Sequence, residues 1–345
     1  MVGMASVPVV RLPLQGGLPP VAVPAGAVVE IACDESGFSG TNLLGSATPV
    51  ITHASVDLRS GEAAELIAAL RSGFRCSLEE VKSGQFLRGP GAGAALAGFL
   101  AALSGRAHVH LTDKEFFLVT RIVDLLLVEP SYAAGTRLTQ DLRPAALALY
   151  RAGRAAGPDW DAFLAAFVEL VRIKRRRQPD RQLLERFFRS RDALVRDGLG
   201  APAERVLGEL DRARVWAVLT RIADDDRSIP PPLEPMLPAL AETVLFWSGG
   251  RRQVLVIHDE QSALTAGRLR RLQQALTGGA GQDGAGRLPA GVSPLAGLVT
   301  VDSRDDPRVQ VADLLAGVAR RWPAAVDDGP LEPFLSPTSL RDPRR

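Results

Sequence analysis

Three acidic residues sit where a fold could bring them together and where a carboxylate needs a physical reason to be. Asp34 closes the apolar run 28–33 in the stretch VVEIACDESG. Asp259 closes a second apolar run, in RQVLVIHDE. Asp313 lies in RVQVADLLAGVA, with Val309, Ala312, Leu314, Leu315 and Ala316 around it. A carboxylate among apolar helix residues is costly unless it is paired or bound to a cation. Two strand ends and one helix can converge on one point, and hard cations such as Mg²⁺ and Mn²⁺ take oxygen ligands of this kind. Each residue also has an ordinary alternative. Asp34 can open a turn, Asp259 can cap the helix that follows it, and Asp313 can lie on a solvated edge. Glu35 either joins the three as a ligand or points away, since strand neighbours alternate faces.

The basic residues are skewed. Of 41 lysines and arginines only Lys82, Lys114 and Lys174 are lysines, so 41 − 3 = 38 are arginines. A lysine that persists against that bias is a candidate for contacts a planar guanidinium makes poorly. The densest basic run is RIKRRR, comprising Arg172, Lys174, Arg175, Arg176 and Arg177 with one isoleucine. It suits a phosphate backbone, and it equally suits the solvated C-terminal end of a helix. The net charge of +2 does not by itself imply a polyanion partner. His108 and His110 share a strand face, a spacing open to a transition metal. No third ligand of matching type accompanies them, so they read as ordinary strand residues. His258 reads as core. The two cysteines, Cys33 and Cys76, form neither a metal spacing nor a disulfide framework. Reduced thiols fit a cytoplasmic setting. No apolar run reaches the ~18 residues of a membrane span, and the proline-broken N-terminal stretch does not read as a signal peptide.

The elements that must position these residues follow from periodicity. Residues 28–33, 49–58, 107–113, 252–260 and the stretch LAGLVTVDSRDD read as strands. Segments 61–74, GAGAALAGFLAALSG, KEFFLVTRIVDLLL and SALTAGRLRRLQQALTGG read as helices. PRVQVADLLAGVARRW reads as another, with Asp306 as its N-cap and Pro307 at its first position. Between about 129 and 249 only helical patterns appear. The expected organisation is an α/β domain formed by 28–128 and 250–322 and interrupted by a helical insertion, 129–249. A loosely ordered lead-in, 1–27, precedes it, and a frayed Pro-rich tail, 323–345, follows it.

In chain order, the motifs DESGFSG, EEVKSG, LTDKEF, VLVIHDE and VDSRDDPRVQVADLLAG resemble the family called domain of unknown function 3800. Its members look like RNase H-like proteins and are regarded as metal-dependent nucleases. The resemblance covers roughly 28–128 and 250–320. It implies an RNase H-like mixed sheet flanked by helices. It implies that Asp34, Asp259 and Asp313 hold Mg²⁺ or Mn²⁺, with Lys82 and Lys114 at motif positions suited to phosphate or to balancing the carboxylates. Glu35, Ser36, Glu80, Glu260 and Gln310 would support the site, Ser36 and Gln310 by orienting carboxylates. Arg172, Lys174, Arg175, Arg176 and Arg177 would grip substrate. The partner implied is nucleic acid. Two other classes remain open: a metal-dependent binding module, and a catalytically silent interaction protein acting through the helical segment. Against the first, Phe38 stands where the Asp-x-Ser-x-Ser loop of von Willebrand A-type domains needs serine.

Overall fold

In a computed structural model, the structure describes residues 17–20, 28–38, 40–45, 48–73, 83–89, 91–172, 178–279, 288–321 and 329–343. The predicted Lys82, Glu80, Lys174, Arg175, Arg176 and Arg177 lie outside these described residues. The chain forms β1 (Val28–Ser36), β2 (Val50–Val56), α1 (Ser60–Gly73), α2 (Ser83–Phe86), α3 (Ala92–Ala102), β3 (Ala107–Asp113) and α4 (Lys114–Leu126). It continues through α5 (Arg143–Ala155), α6 (Pro158–Val171), α7 (Arg181–Asp197), α8 (Ala201–Gly208), α9 (Arg212–Ala223) and α10 (Met236–Ser248). It closes with β4 (Gln253–Asp259), α11 (Ala266–Gly279), β5 (Leu295–Val301) and α12 (Pro307–Arg321).

The five strands form one mixed open sheet of order β3-β2-β1-β4-β5. β1 is antiparallel to β2, and β2 to β3, while β4 runs parallel to both β1 and β5. Strand alternation divides the sheet residues between two cores. Ala32, Ala54, Val56 and Ile257 face α1, α3 and α12, burying Phe99, Leu314 and Leu315 with them. Ile31, Cys33, Ile51, Val254, Val256 and Leu298 face the other way, into a core continuous with Phe117, Trp160, Phe163 and Phe187. The described residues of 129–249 are helices and turns without a strand. The last of these helices, α10, packs directly on β2, β3 and β4. The sequence pattern groups it with the helical middle rather than with the sheet.

β1 runs further than expected. The reading ends the strand near Cys33 and puts Asp34 and Glu35 in a turn. Instead Asp34 pairs opposite Ala54, Glu35 opposite His53 and Ser36 opposite Thr52. Acidic residues are poor strand formers, but ladder bonds to β2 override that preference.

The C-terminal tail also departs from expectation. Among its described residues, Ser336 N–H donates to the Val109 carbonyl (2.7 Å) and Leu340 N–H to that of Leu111 (2.8 Å). Asp113 N–H donates back to the Leu340 carbonyl (2.8 Å). The tail therefore covers the outer edge of β3. Leu18 exchanges two backbone bonds with Leu298 and covers β5 in the same way. Covering both edges leaves less unpaired backbone for association with other chains.

Candidate metal and phosphate site

The ends of β1 and β4 lie side by side, and α12 crosses the sheet face above them. α12 begins as its sequence predicts: Asp306 Oδ1 accepts from the Arg308 N–H (2.9 Å), with Pro307 at the first helical position. The 3.6-residue period then places Gln310 and Asp313 on one face. Asp313 is half-buried, between fully buried neighbours on both sides, so it does not lie on a solvated edge.

Asp34 is 6% exposed. Its carboxyl is held well above the usual carboxylate range, first by burial and then by the charges of Glu35, Asp313 and Asp259. The N–H of Glu35, 2.7 Å from Asp34 Oδ1, works weakly against this. Asp34 therefore lies within the fields of the other two predicted aspartates. Asp259 Oδ1 accepts from the backbone N–H of Ser303 (3.1 Å). That contact ties the β4 end to the loop leading to α12. It is not a cap on α11, which begins seven residues on.

Glu35 points to the opposite face from Asp34, as alternation requires. Its Oε1 accepts from Gln261 Nε2, and its buried Oε2 has no hydrogen-bond partner. Burial raises its carboxyl to about 7, aided by Asp259 and opposed by the Gln261 hydrogen bond and by Asp34. The ring of His258 stands 4.0 Å from this oxygen. That ring is fully buried, and burial holds its pKa down at about 4. Its Nδ1 lies 2.9 Å from the Asp259 carbonyl, which can only accept, so Nδ1 carries the proton. Nε2 is then an acceptor, and it takes the His53 Nε2–H at 3.2 Å. His53 Nδ1 in turn accepts from the Thr243 hydroxyl (2.9 Å). With its proton on Nδ1, neutral His258 has none to offer Glu35. His258 is core, as expected, and it also anchors the strand end that carries Asp259. His108 and His110 are buried and neutral, pushed down by burial to about 3 and about 4.

Other predicted residues fall around this centre. Ser36 Oγ accepts from Arg320 Nε (2.8 Å), and Arg320 feels the charge of Asp313. Gln310 Oε1 accepts from Arg71 Nη2 on α1 (3.2 Å). Lys114 opens α4 directly after Asp113, whose carboxylate caps that helix through the Phe116 N–H (2.9 Å). Lys114 is 1% exposed, its Nζ is 3.4 Å from Thr48 Oγ1, and burial followed by the Arg320 charge lowers its pKa. Glu260 is exposed. Arg172 is exposed and donates to the Thr41 carbonyl (3.1 Å), beside the loop after β1.

Sequence reasoning missed Gln261 and Arg320. Arg320 was legible: it lies seven residues after Asp313, two helical turns along the same face. Gln261 lies beyond the strand end, and its contact with Glu35 leaves no periodic trace.

Gly37 turns the chain out of β1 with φ of 89°. A β-carbon there would lie 2.5 Å from the Val50 carbonyl oxygen and 2.6 Å from Arg320 Cδ. Gly37→Ala is therefore expected to destabilise by ~1–3 kcal/mol from backbone strain alone and to displace Arg320. Urea denaturation reads the first effect and a crystal structure the second.

Among the described residues, no group of three or more His, Cys, Asp or Glu side chains is placed so that it could hold a metal ion. The side-chain donors of Asp34, Asp259 and Asp313 are nonetheless all oxygens, the atom type a hard divalent cation takes. Asp34 is raised by Glu35, Asp313 and Asp259, Glu35 is raised by Asp259, and one buried oxygen, Glu35 Oε2, lacks a hydrogen-bond partner. Buried carboxylates in this state call for either protons or a cation. No protein-family model matches the chain, and no curated protein or solved structure matches it either.

Proposed function

We propose that the chain is a metal-dependent nuclease of RNase H-like architecture, in which residues 129–249 form a helical insertion. The observation that carries this reading is the convergence of Asp34, Asp259 and Asp313 from two adjacent strand ends and a crossing helix, with Asp34 buried in the field of the other two. Motif resemblance to the domain of unknown function 3800 supports it from the sequence side.

Asp34, Asp259 and Asp313 would hold Mg²⁺ or Mn²⁺. A divalent cation bound there would supply positive charge at a phosphoryl oxygen and make water acidic near neutral pH. The chain's own residues do the rest. The Ser303 N–H orients the Asp259 carboxylate, an arrangement that fixes a ligand before binding. The Gln261 amide fixes Glu35 on the opposite face of the strand, next to Asp34 in the chain. Arg320, fixed by Ser36, places a guanidinium beside Asp313, where it can pair with a phosphate.

The test is cleavage of labelled single- and double-stranded DNA and RNA by purified protein, with Mg²⁺ or Mn²⁺ and with EDTA. The expected result is cleavage of at least one substrate that stops in EDTA. Saturable cation binding without cleavage of any substrate would overturn the nuclease in favour of a metal-dependent binding module. Absence of both would leave the silent interaction protein.

A further inference from the structure

Beside the carboxylate centre lies a cavity of about 540 Å³, to which the LTDKEF motif contributes Asp113, Lys114 and Glu115. It opens between the start of β2, the β3–α4 junction and the end of α12. Leu43, Leu44, Pro49 and Leu164 line its apolar side, and Lys114 and Arg320 stand on its polar side with Arg154 and Arg341. Its acidic wall residues are Asp113, Glu115, Asp161 and Asp342, and three of them have partners of their own. Asp113 caps α4 and accepts from the Tyr150 hydroxyl (3.2 Å). Glu115 accepts from Trp160 Nε1 (2.6 Å), and Asp342 pairs with Arg151 (2.6 Å). Such partners damp the negative charge facing the cavity. The buried Lys114 ammonium and the Arg320 guanidinium stand close enough for Arg320 to depress the lysine. Two cations in one wall attract a dianion.

The volume is in the range of small-molecule sites, and an apolar lining with a few convergent polar groups is their usual chemistry. Arg320 also fixes the direction. The same side chain that lines the cavity donates to Ser36, two residues past Asp34. A phosphate held by Lys114 and Arg320 therefore lies next to the carboxylates.

We propose that this cavity is a nucleotide subsite: Lys114 and Arg320 hold a phosphate and the leucine–proline wall packs on the sugar and base of the residue adjoining the scissile bond. Its role in the reaction rests on the nuclease reading above; its ability to bind a mononucleotide does not. A base lying on aliphatic side chains rather than in a hydrogen-bonding frame is read weakly, so the subsite carries little sequence preference.

The experiment is calorimetric titration of the full chain in EDTA with adenosine 5′-monophosphate, inorganic phosphate and adenosine separately. The mononucleotide is expected to bind at least about tenfold tighter than either fragment, since it alone engages both walls. Lys114→Met, which keeps the stem and removes the charge, is expected to weaken it by at least about tenfold. Leu44→Trp, which fills the mouth from a half-buried position, does the same and carries the test if the lysine variant does not fold. Absence of saturable mononucleotide binding, or binding unchanged in both folded variants, overturns the subsite. Metal-dependent cleavage without mononucleotide binding sinks the subsite alone. Mononucleotide binding without cleavage sinks the nuclease and keeps the pocket.

Discussion

Asp34→Asn is expected to lower metal-dependent cleavage by at least about 100-fold, because even the outer partners of metal ligands typically cost 10–100-fold when removed. The substitution is nearly isosteric and deletes one charge from the centre of the cluster. Asp34 is the most buried of the three aspartates and feels Glu35, Asp313 and Asp259 together. Its removal should therefore act oppositely on stability. In EDTA near neutral pH the variant is expected to melt at the same temperature as the wild type or higher, because a repulsive, desolvated carboxyl is gone. Initial rates on labelled oligonucleotides and thermal melts in EDTA read the two effects. A variant that keeps its activity, or one that loses it only by unfolding, contradicts the account.

Glu35→Gln is expected to stabilise the cation-free protein by about 3 kcal/mol at pH 8 and by nothing at pH 4. The folded carboxyl titrates at about 7 against an ordinary value of 4.5. Below 4.5 both folded and unfolded chains are protonated and the group is neutral in the balance. As pH rises towards 7 the unfolded chain releases its proton first, so stability falls through that window and then levels off. A shift of that size corresponds to the ~3 kcal/mol stated, at 1.36 kcal/mol per unit. The buried histidines act with the opposite sign. His258 and His110 titrate near 4 and His108 near 3 in the folded chain, against 6.5. They remove stability as pH falls below 6.5. The whole-protein profile mixes both trends, so the quantity to measure is the difference between variant and wild type in urea denaturation at several pH values. Saturating Mn²⁺ is expected to stabilise both proteins, since Asp34, Asp259 and Asp313 remain in the variant; a hundredfold excess over Kd is worth about 2.7 kcal/mol. A difference that does not grow with pH would contradict this.

The strands were legible because their buried runs and alternation are local. All five predicted strand segments coincide with strands of the sheet. Asp34, Asp259 and Asp313 stood out for the same reason: each is an acidic residue at the end or in the middle of an apolar pattern. What escaped was long-range. β1 extends through Asp34 and Glu35 because β2 supplies the ladder, and nothing in those two residues signals a strand. The tail 335–340 pairs with β3 mainly through backbone groups, with Ser339 Oγ accepting from the Leu111 N–H, while its prolines suggest disorder. Gln261 and Arg320 act through contacts 226 and 284 residues away along the chain. The histidine chain from Thr243 to Asp259 likewise joins three separate elements.

The most direct measurement is diffraction from crystals grown with Mn²⁺, with anomalous differences collected near the manganese edge. The account predicts a peak bounded by carboxylate oxygens of Asp34, Asp259 and Asp313. A map with no peak there in crystals soaked to saturation, or one with Asp313 swung out of the cluster, would contradict it.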